Sequence, residues 1–266
     1  MKTNFRFFLF LTFIISFSQE IKATHVPGGN ITYECVGSNS YIITLTVFED
    51  CSGTQGLLSG PQTLTITNSC GFNNPSTLQL PADTSYEISQ ICTPQLPNTT
   101  CQNGGTLPGI RKYVFRNASN PVTLPGGCHD WTIYWEGCCR NGAINLSAQD
   151  GYYFEAVINN TNTPCNSSPV IQANPVPYNC INVNVVYNFS VTEPDGDSLH
   201  YSFISARELP FGAVPTTVPY AAGYSPTSPI NGITLDPNTV AISPDSLVAW
   251  SPTKLTSWNS ASSSSS

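Results

Sequence analysis

Apolar residues in this chain recur at every second position, in short runs separated by turn-forming residues. The densest example lies within 127–158, where Trp131, Ile133 and Trp135 alternate with Thr132, Tyr134 and Glu136, and Phe154, Ala156 and Ile158 alternate with Tyr153, Glu155 and Val157. A period of two puts each set on one face of a strand. The stretch therefore reads as a half-buried antiparallel pair, joined by a turn-rich connection that carries Cys138 and Cys139. Upstream, Ile31, Tyr33 and Cys35, then Tyr41, Ile43, Leu45 and Val47, predict a hairpin over 31–49 around the Gly-, Ser- and Asn-rich stretch 36–40. Leu64 with Ile66, Leu78 with Leu80, and Tyr86 with Ile88 mark three further short strands. Tyr113 and Phe115 mark another, and the basic residues Lys112 and Arg116 on its other side suggest an edge strand guarded by charge.

The longest alternation comes later. Ile181, Val183, Val185, Tyr187, Phe189 and Val191 share one face, and Leu199, Tyr201 and Phe203 resume the pattern after a short connection, which predicts a second long hairpin. Residues 233–250 add two or three short strands. Beyond the N-terminal leader no apolar residues follow helical spacing over three turns, so the fold class is all-β. Between the two β regions, 159–177 is dense in Asn, Thr, Ser and Pro and has no periodicity, which places a domain boundary near 172. The expected organisation is a targeting segment at 1–23, a cysteine-rich β-sandwich-like domain at 24–172, a second β domain at 173–260 and a serine-rich tail at 261–266. The second domain offers four or five strands against the seven of a complete sandwich, so it is expected to be incomplete or completed from outside this sequence.

Composition narrows the function. Charged residues make up 9% of the chain, and the formal charge is -7 with nine Lys and Arg in total. No basic patch exists for a phosphate backbone, so nucleic acid is excluded as a partner. Lys2 and Arg6 precede an apolar run from Phe7 to Phe17, the pattern of a signal peptide cleaved after Ser18 or Ala23. No later stretch is long and apolar enough to span a bilayer, so the mature chain has no transmembrane segment. The product is expected to be exported, either secreted or held at the cell surface. Ten cysteines in an oxidising compartment predict disulfides at Cys35, Cys51, Cys70, Cys92, Cys101, Cys128, Cys138, Cys139, Cys165 and Cys180. A Cys92–Cys101 bridge would close the proline-rich connection 92–109 into a small surface loop. A zinc reading of Cys128, His129, Cys138 and Cys139 has the right ligand types but poor spacing, because the ligands come as adjacent pairs.

Three stretches carry a likeness to known proteins: Ala23-Thr24-His25-Val26-Pro27-Gly28-Gly29-Asn30-Ile31-Thr32-Tyr33-Glu34-Cys35, Trp135-Glu136-Gly137-Cys138-Cys139-Arg140-Asn141-Gly142-Ala143-Ile144, and Glu193-Pro194-Asp195-Gly196-Asp197-Ser198-Leu199-His200-Tyr201. In this order they resemble the N-terminal part of large exported Bacteroidetes surface proteins, of the gliding-motility-associated or adhesin-like kind with Ig-like, PKD-like or cadherin-like repeats. The resemblance implies an Ig/cadherin-like second domain and an adhesive or structural role toward other surface proteins or extracellular polysaccharide. It also implies a C-terminal sorting domain, for which this sequence has no room; another anchor or a longer gene product is the expectation.

Candidate chemistry is sparse. Glu193, Asp195 and Asp197, interrupted by Gly196, resemble the acidic turns that give oxygen ligands to calcium in cadherin-like repeats; calcium needs six to eight oxygens, so this turn is expected to supply part of a site. Glu49 and Asp50 form a second acidic pair, expected in an exposed turn. Trp131, Tyr134, Trp135, Tyr152 and Tyr153 pose a choice between core packing and a sugar-binding platform; Tyr134, on the opposite face from the tryptophans, is the candidate ligand contact. The alternative function is therefore a carbohydrate-binding module. A hydrolase is the weaker alternative: Glu136 and Glu155 are the minimum for glycoside hydrolysis, but the three histidines, His25, His129 and His200, join no nucleophile or metal motif, and the chain is read as a non-enzyme.

Overall fold

The computed structural model describes residues 26–53, 58–137, 140, 143, 145–147, 151–162, 165–174, 185–187, 190–200, 204–210, 214–228, 240–242 and 256–258. The targeting segment, Cys138, Cys139, Cys180 and the serine tail lie outside the described residues. Nine strands build the first region: β1 (Gly28–Gly37), β2 (Ser40–Asp50), β3 (Gln62–Thr67), β4 (Thr77–Leu80), β5 (Ala82–Glu87), β6 (Ile110–Arg116), β7 (Val122–Thr123), β8 (Trp131–Gly137) and β9 (Tyr152–Ile158). They form two antiparallel sheets. One runs β1-β2-β6-β5, with β7 paired to the start of β2; the other runs β4-β3-β8-β9.

The period-two pattern explains why these sheets meet. In β2, Tyr41, Ile43, Leu45 and Val47 are fully buried, whereas Ile42, Thr44 and Thr46 between them are only half-buried. In β8, Trp131, Ile133 and Trp135 are buried in the same way and pair across the ladder with Ile158, Ala156 and Phe154. These two rows, with Phe115 of β6 and Leu64 and Ile66 of β3, belong to one hydrophobic core. Trp135 stacks on Tyr152 at 4.8 Å and on Phe154 at 6.0 Å between ring centroids. Gly29 permits the closest approach of the sheets' edges, since a methyl there would lie 2.7 Å from the Thr46 carbonyl oxygen and 2.9 Å from the Phe154 ring. The expected hairpins over 31–49 and 131–158 are both present, the first turning through Ser38 and Asn39, with Asn39 in the left-handed region at φ 60°.

Strand β6 is interior, not the charge-guarded edge that its basic residues suggest. It is hydrogen-bonded to β2 on one side and β5 on the other. Its cations find local partners: Arg116 makes an ion pair with Glu34 at 2.6 Å, and Lys112 lies 5.8 Å over the Tyr86 ring. The exposed edge is β5, in which every residue from Ala82 to Tyr86 is open to solvent.

Downstream strands are short: β10 (Val170–Ile171), β11 (Val185–Tyr187), β12 (Val191–Thr192), β13 (Ser198–His200), β14 (Arg207–Glu208), β15 (Thr216–Thr217), β16 (Val240–Ile242) and β17 (Thr256–Trp258). Among the described residues, the long hairpin expected between 181–191 and 199–203 is not seen; 181–184, 188–189 and 201–203 lie outside them. Instead β11 pairs with β16, β12 with β10, and β13 with β17. Ser190 takes φ 47°, and its carbonyl accepts the Gln172 N–H at 3.2 Å. The free edge of β1 is covered by residues 167–168, where the Tyr33 carbonyl accepts the Ser168 N–H and the Tyr33 N–H donates to Ser168 Oγ, each at 2.8 Å.

Among the described residues, three disulfides brace the frame: Cys35–Cys165, Cys51–Cys101 and Cys70–Cys128. They close 130, 50 and 58 residues of sequence, so each restricts the unfolded chain by about 2–5 kcal/mol. The expected Cys92–Cys101 loop is corrected. The Cys51 N–H donates to the Gly109 carbonyl where β2 ends and β6 begins, and this brings Cys51 rather than Cys92 to the 101–109 connection. Cys92 is exposed and free, against the expectation that all ten cysteines pair.

Two outcomes follow from this packing. Trp135→Ala, which empties a site stacked by two rings, should cost about 3–5 kcal/mol in a urea titration. A normal midpoint would remove Trp135 from the core. Alkylation of the native, unreduced protein should label Cys92 and spare Cys35, Cys51, Cys70, Cys101, Cys128 and Cys165, as peptide mass spectrometry would read; labelling of any of those six would contradict the bridges.

Candidate functional site

The outward face of β8 and β9 holds the residues with the most suggestive side chains, and the fold covers it. Register places Tyr134 opposite Glu155 and Glu136 opposite Tyr153. Tyr153 donates to Glu155 Oε2 at 2.9 Å, and Glu155 Oε1 receives Arg207 at 2.6 Å. The Arg207 guanidinium also lies 5.1 Å over the Tyr153 ring, which itself lies 5.3 Å from the Tyr134 ring. Next in the chain, the Glu208 carboxylate accepts the Gly151 N–H at 2.9 Å. A small secondary core of Leu146, Ala206 and Val218 continues this layer, and Arg140, almost fully buried, donates to the Arg207 carbonyl at 3.2 Å. Burial, followed by the charge of Glu155, pushes the Tyr153 phenol well above its ordinary range. Ala206, Arg207, Glu208 and Val218 thus lie over this outward face.

This arrangement decides the aromatic and carboxylate candidates. Trp131, Trp135, Tyr152 and Tyr153 are buried and packed, and Tyr134 is half-buried beside Tyr153 rather than standing free. Glu155 is committed to Arg207 and Tyr153, while Glu136 is exposed, so the two do not face each other as equivalent carboxylates. Arg207, the residue that spends this face, was not legible: a lone arginine in a proline-rich stretch carries no local signal of a partner 52 residues away.

The acidic turn is a genuine cluster. Glu193 Oε2 accepts the N–H groups of Asp195 at 2.9 Å and Asp197 at 2.8 Å, and Gly196 between them takes φ 82°. Asp195 Oδ2 accepts the Ser167 N–H at 2.5 Å. With its amide oriented to donate, Asn166 reaches Asp197 Oδ2 at 3.0 Å and Asp195 Oδ2 at 3.2 Å. Glu193 Oε1 is enclosed without a hydrogen bond. The three expected acidic residues therefore share one hydrogen-bonded turn, with Asn166 contacting Asp195 and Asp197 and Ser167 contacting Asp195. Asn166 adjoins Cys165, whose bridge to Cys35 fixes this segment on β1; that pairing is what the sequence does not reveal.

Glu49 and Asp50 separate. Asp50 caps its turn by accepting the Ser52 N–H at 2.9 Å, as a turn residue should. Glu49, expected beside it at the surface, is 1% exposed because it continues the inward row of β2 after Val47. Tyr113 donates to its Oε2 at 2.9 Å, and Oε1 has no partner. Burial raises the Glu49 carboxyl above its ordinary range, against the Tyr113 hydrogen bond and the Arg111 charge, which lower it. Tyr113 is in turn pushed up to about 12, by burial and then by Glu49. Of the zinc set, Cys128 is bonded to Cys70 and His129 is exposed beside it, while Cys138 and Cys139 lie outside the described residues.

The sign of the Glu49 shift gives a pH dependence. A carboxyl raised in the folded state contributes stability that is complete below its unfolded pKa and is lost as pH rises through the folded one. Glu49→Gln, which keeps an acceptor for Tyr113, should therefore be more stable than the parent at neutral pH. It should also remove part of the fall in stability above pH 4.5, measured by denaturation at a series of pH values. A variant less stable at pH 7 with an unchanged pH profile would refute a buried charged cost at this position.

No family model, curated protein or solved structure matches this chain, so what the acidic turn and the covered sheet face do follows from their own geometry.

Proposed function

We propose that the chain is an exported structural or adhesive surface module without catalytic activity, in which calcium tightens the Glu193–Asp197 turn. The observation that carries this reading is how the chain spends its reactive-looking groups. Tyr153 and Glu155 on β9 are engaged by Arg207, and Trp131 and Trp135 of β8 are buried in the core, a use that favours a scaffold over a catalytic or sugar-binding cleft. The oxygen-rich turn instead docks on Asn166 and Ser167, next to a disulfide that reaches β1. A divalent cation among Glu193, Asp195 and Asp197 would offset three like charges within one turn, and would stiffen the joint between the braced frame and the downstream strands. Partners of such a module are other surface proteins or extracellular polysaccharide. The Ig/cadherin-like architecture of residues 173–260 and the likeness to exported Bacteroidetes surface proteins belong to the same proposal.

Calcium tests it directly. A ligand that binds only the folded state raises stability by about 2.7 kcal/mol at one hundred times its Kd. The melting temperature of the full chain should rise with millimolar calcium and much less with magnesium, whose smaller shell demands octahedral geometry. Asp195→Asn with Asp197→Asn should abolish the rise. An identical rise in the double variant, or none in the parent, would return the turn to an ordinary hydrogen-bonded loop.

A further inference from the structure

Where β3 leaves one sheet and β8 enters it, Cys70, Cys128 and Asp130 bring their ligand atoms within 4.8 Å of one another. Asp130 Oδ1 lies 3.3 Å from the Cys70 sulfur and 3.1 Å from the Cys128 sulfur, and His129 Nδ1 lies 3.8 Å from Cys70. Tetrahedral zinc holds thiolates at about 2.3 Å and nitrogen or oxygen donors at about 2.0–2.2 Å, which separates a sulfur from a neighbouring N or O donor by about 3.5 Å. The three cross-distances scatter around that value. The two sulfurs are closer than a metal would hold them because they are bonded to each other, and His129 stands outside the mutual 4.8 Å group, reaching it at Cys70.

We propose that the reduced form of this bridge is a zinc-class metal site, with Cys70, Cys128, Asp130 and His129 as its four ligands. The oxidised chain is the braced form described above; reduction exchanges one cross-link for another at the same place. A dithiol reductant donates two electrons and two protons to the disulfide and itself closes to a cyclic disulfide. The Cys70 and Cys128 thiols then each release a proton as they bind the divalent ion. The surroundings suit a cation. Both Asp130 oxygens accept the Ser69 N–H, at 3.2 and 3.1 Å, which orients the carboxylate toward the sulfurs. Cys128 is fully buried, Cys70 and Asp130 are half-buried and His129 is exposed, so the site has a closed floor and an open rim. Phe72, stacked on Trp131 at 5.4 Å between centroids, packs against the same core as Cys70. Neither sulfur pairing nor Asp130 belongs to the adjacent-cysteine zinc set considered from sequence; only Cys128 and His129 are shared with it.

Cobalt(II) serves as the spectroscopic probe, added under anaerobic conditions to the full chain reduced with a dithiol-free phosphine. The reduced parent should show intense tetrahedral d–d bands and a thiolate-to-cobalt charge-transfer band, both displaced by zinc. Cys70→Ser with Cys128→Ser should lose them. Asp130→Asn and His129→Gln keep both cysteines and the bridge, so they fold as the parent does before reduction; each should weaken cobalt binding by about tenfold or more, since even outer-shell changes reach that size. No tetrahedral spectrum from the reduced parent, its survival in the double cysteine variant, or parental affinity in both Asp130→Asn and His129→Gln would each overturn the assignment.

Discussion

The contact between the inward rows of β2 and β8 is the interaction on which the rest of the fold depends. With so few charges in the chain, burial of apolar surface has to supply most of the driving force, and Tyr41, Ile43, Leu45 and Val47 facing Trp131, Ile133 and Trp135 supply its largest continuous block. Every other brace has meaning relative to that contact. The Cys35–Cys165 and Cys70–Cys128 bridges enter at its margins, through half-buried Cys35 and Cys70, and Gly29 is a glycine because the Phe154 ring needs the space. Glu49 marks where the row runs out: the strand keeps its inward parity past Val47, and the next inward residue is a carboxylate held by Tyr113.

The outward faces are treated differently from one another. On the five-stranded sheet, surface charges pair with near neighbours such as Glu34 with Arg116. On the four-stranded sheet a second layer lies over Tyr153 and Glu155, and Arg207 is its central contact. Its ion pair is largely shielded from water, with side-chain exposures of 26% and 11%, so it is more constrained than a surface pair, whose net worth is close to zero. What resembles a ligand platform in the sequence is therefore an internal interface. The acidic turn at Glu193 is the opposite case, a set of carboxylates held by hydrogen bonds to backbone N–H groups and to Asn166.

How much was legible depended on distance along the chain. Alternation over a few residues identified both hairpins of the first region and the burial of Trp131 and Trp135, since a strand's faces are decided by its own sequence. Sheet order was not legible: nothing in Arg111–Arg116 says that β5 will pair on its far side, so its charges read as protection of an edge. Disulfide pairing failed for the same reason, as Cys51 and Cys101 meet only once β2 and β6 are in register. The partners of the short strands β11, β12 and β13 were equally hidden, since each pairs with a segment far along the chain or across the expected boundary. The carboxylates of the acidic turn were visible in the sequence, whereas Asn166 and Ser167 were not.

A single core shared by two sheets has a direct test in native-state hydrogen exchange. Amides of 43–47, 113–115 and 131–135 sit in strands flanked on both sides and should exchange last, with one common free energy equal to that of global unfolding. The exposed strand 82–86 should exchange faster. If the amides of 131–135 instead exchanged well before those of 43–47, the two sheets would open separately, and the account of one interlocked core would be contradicted.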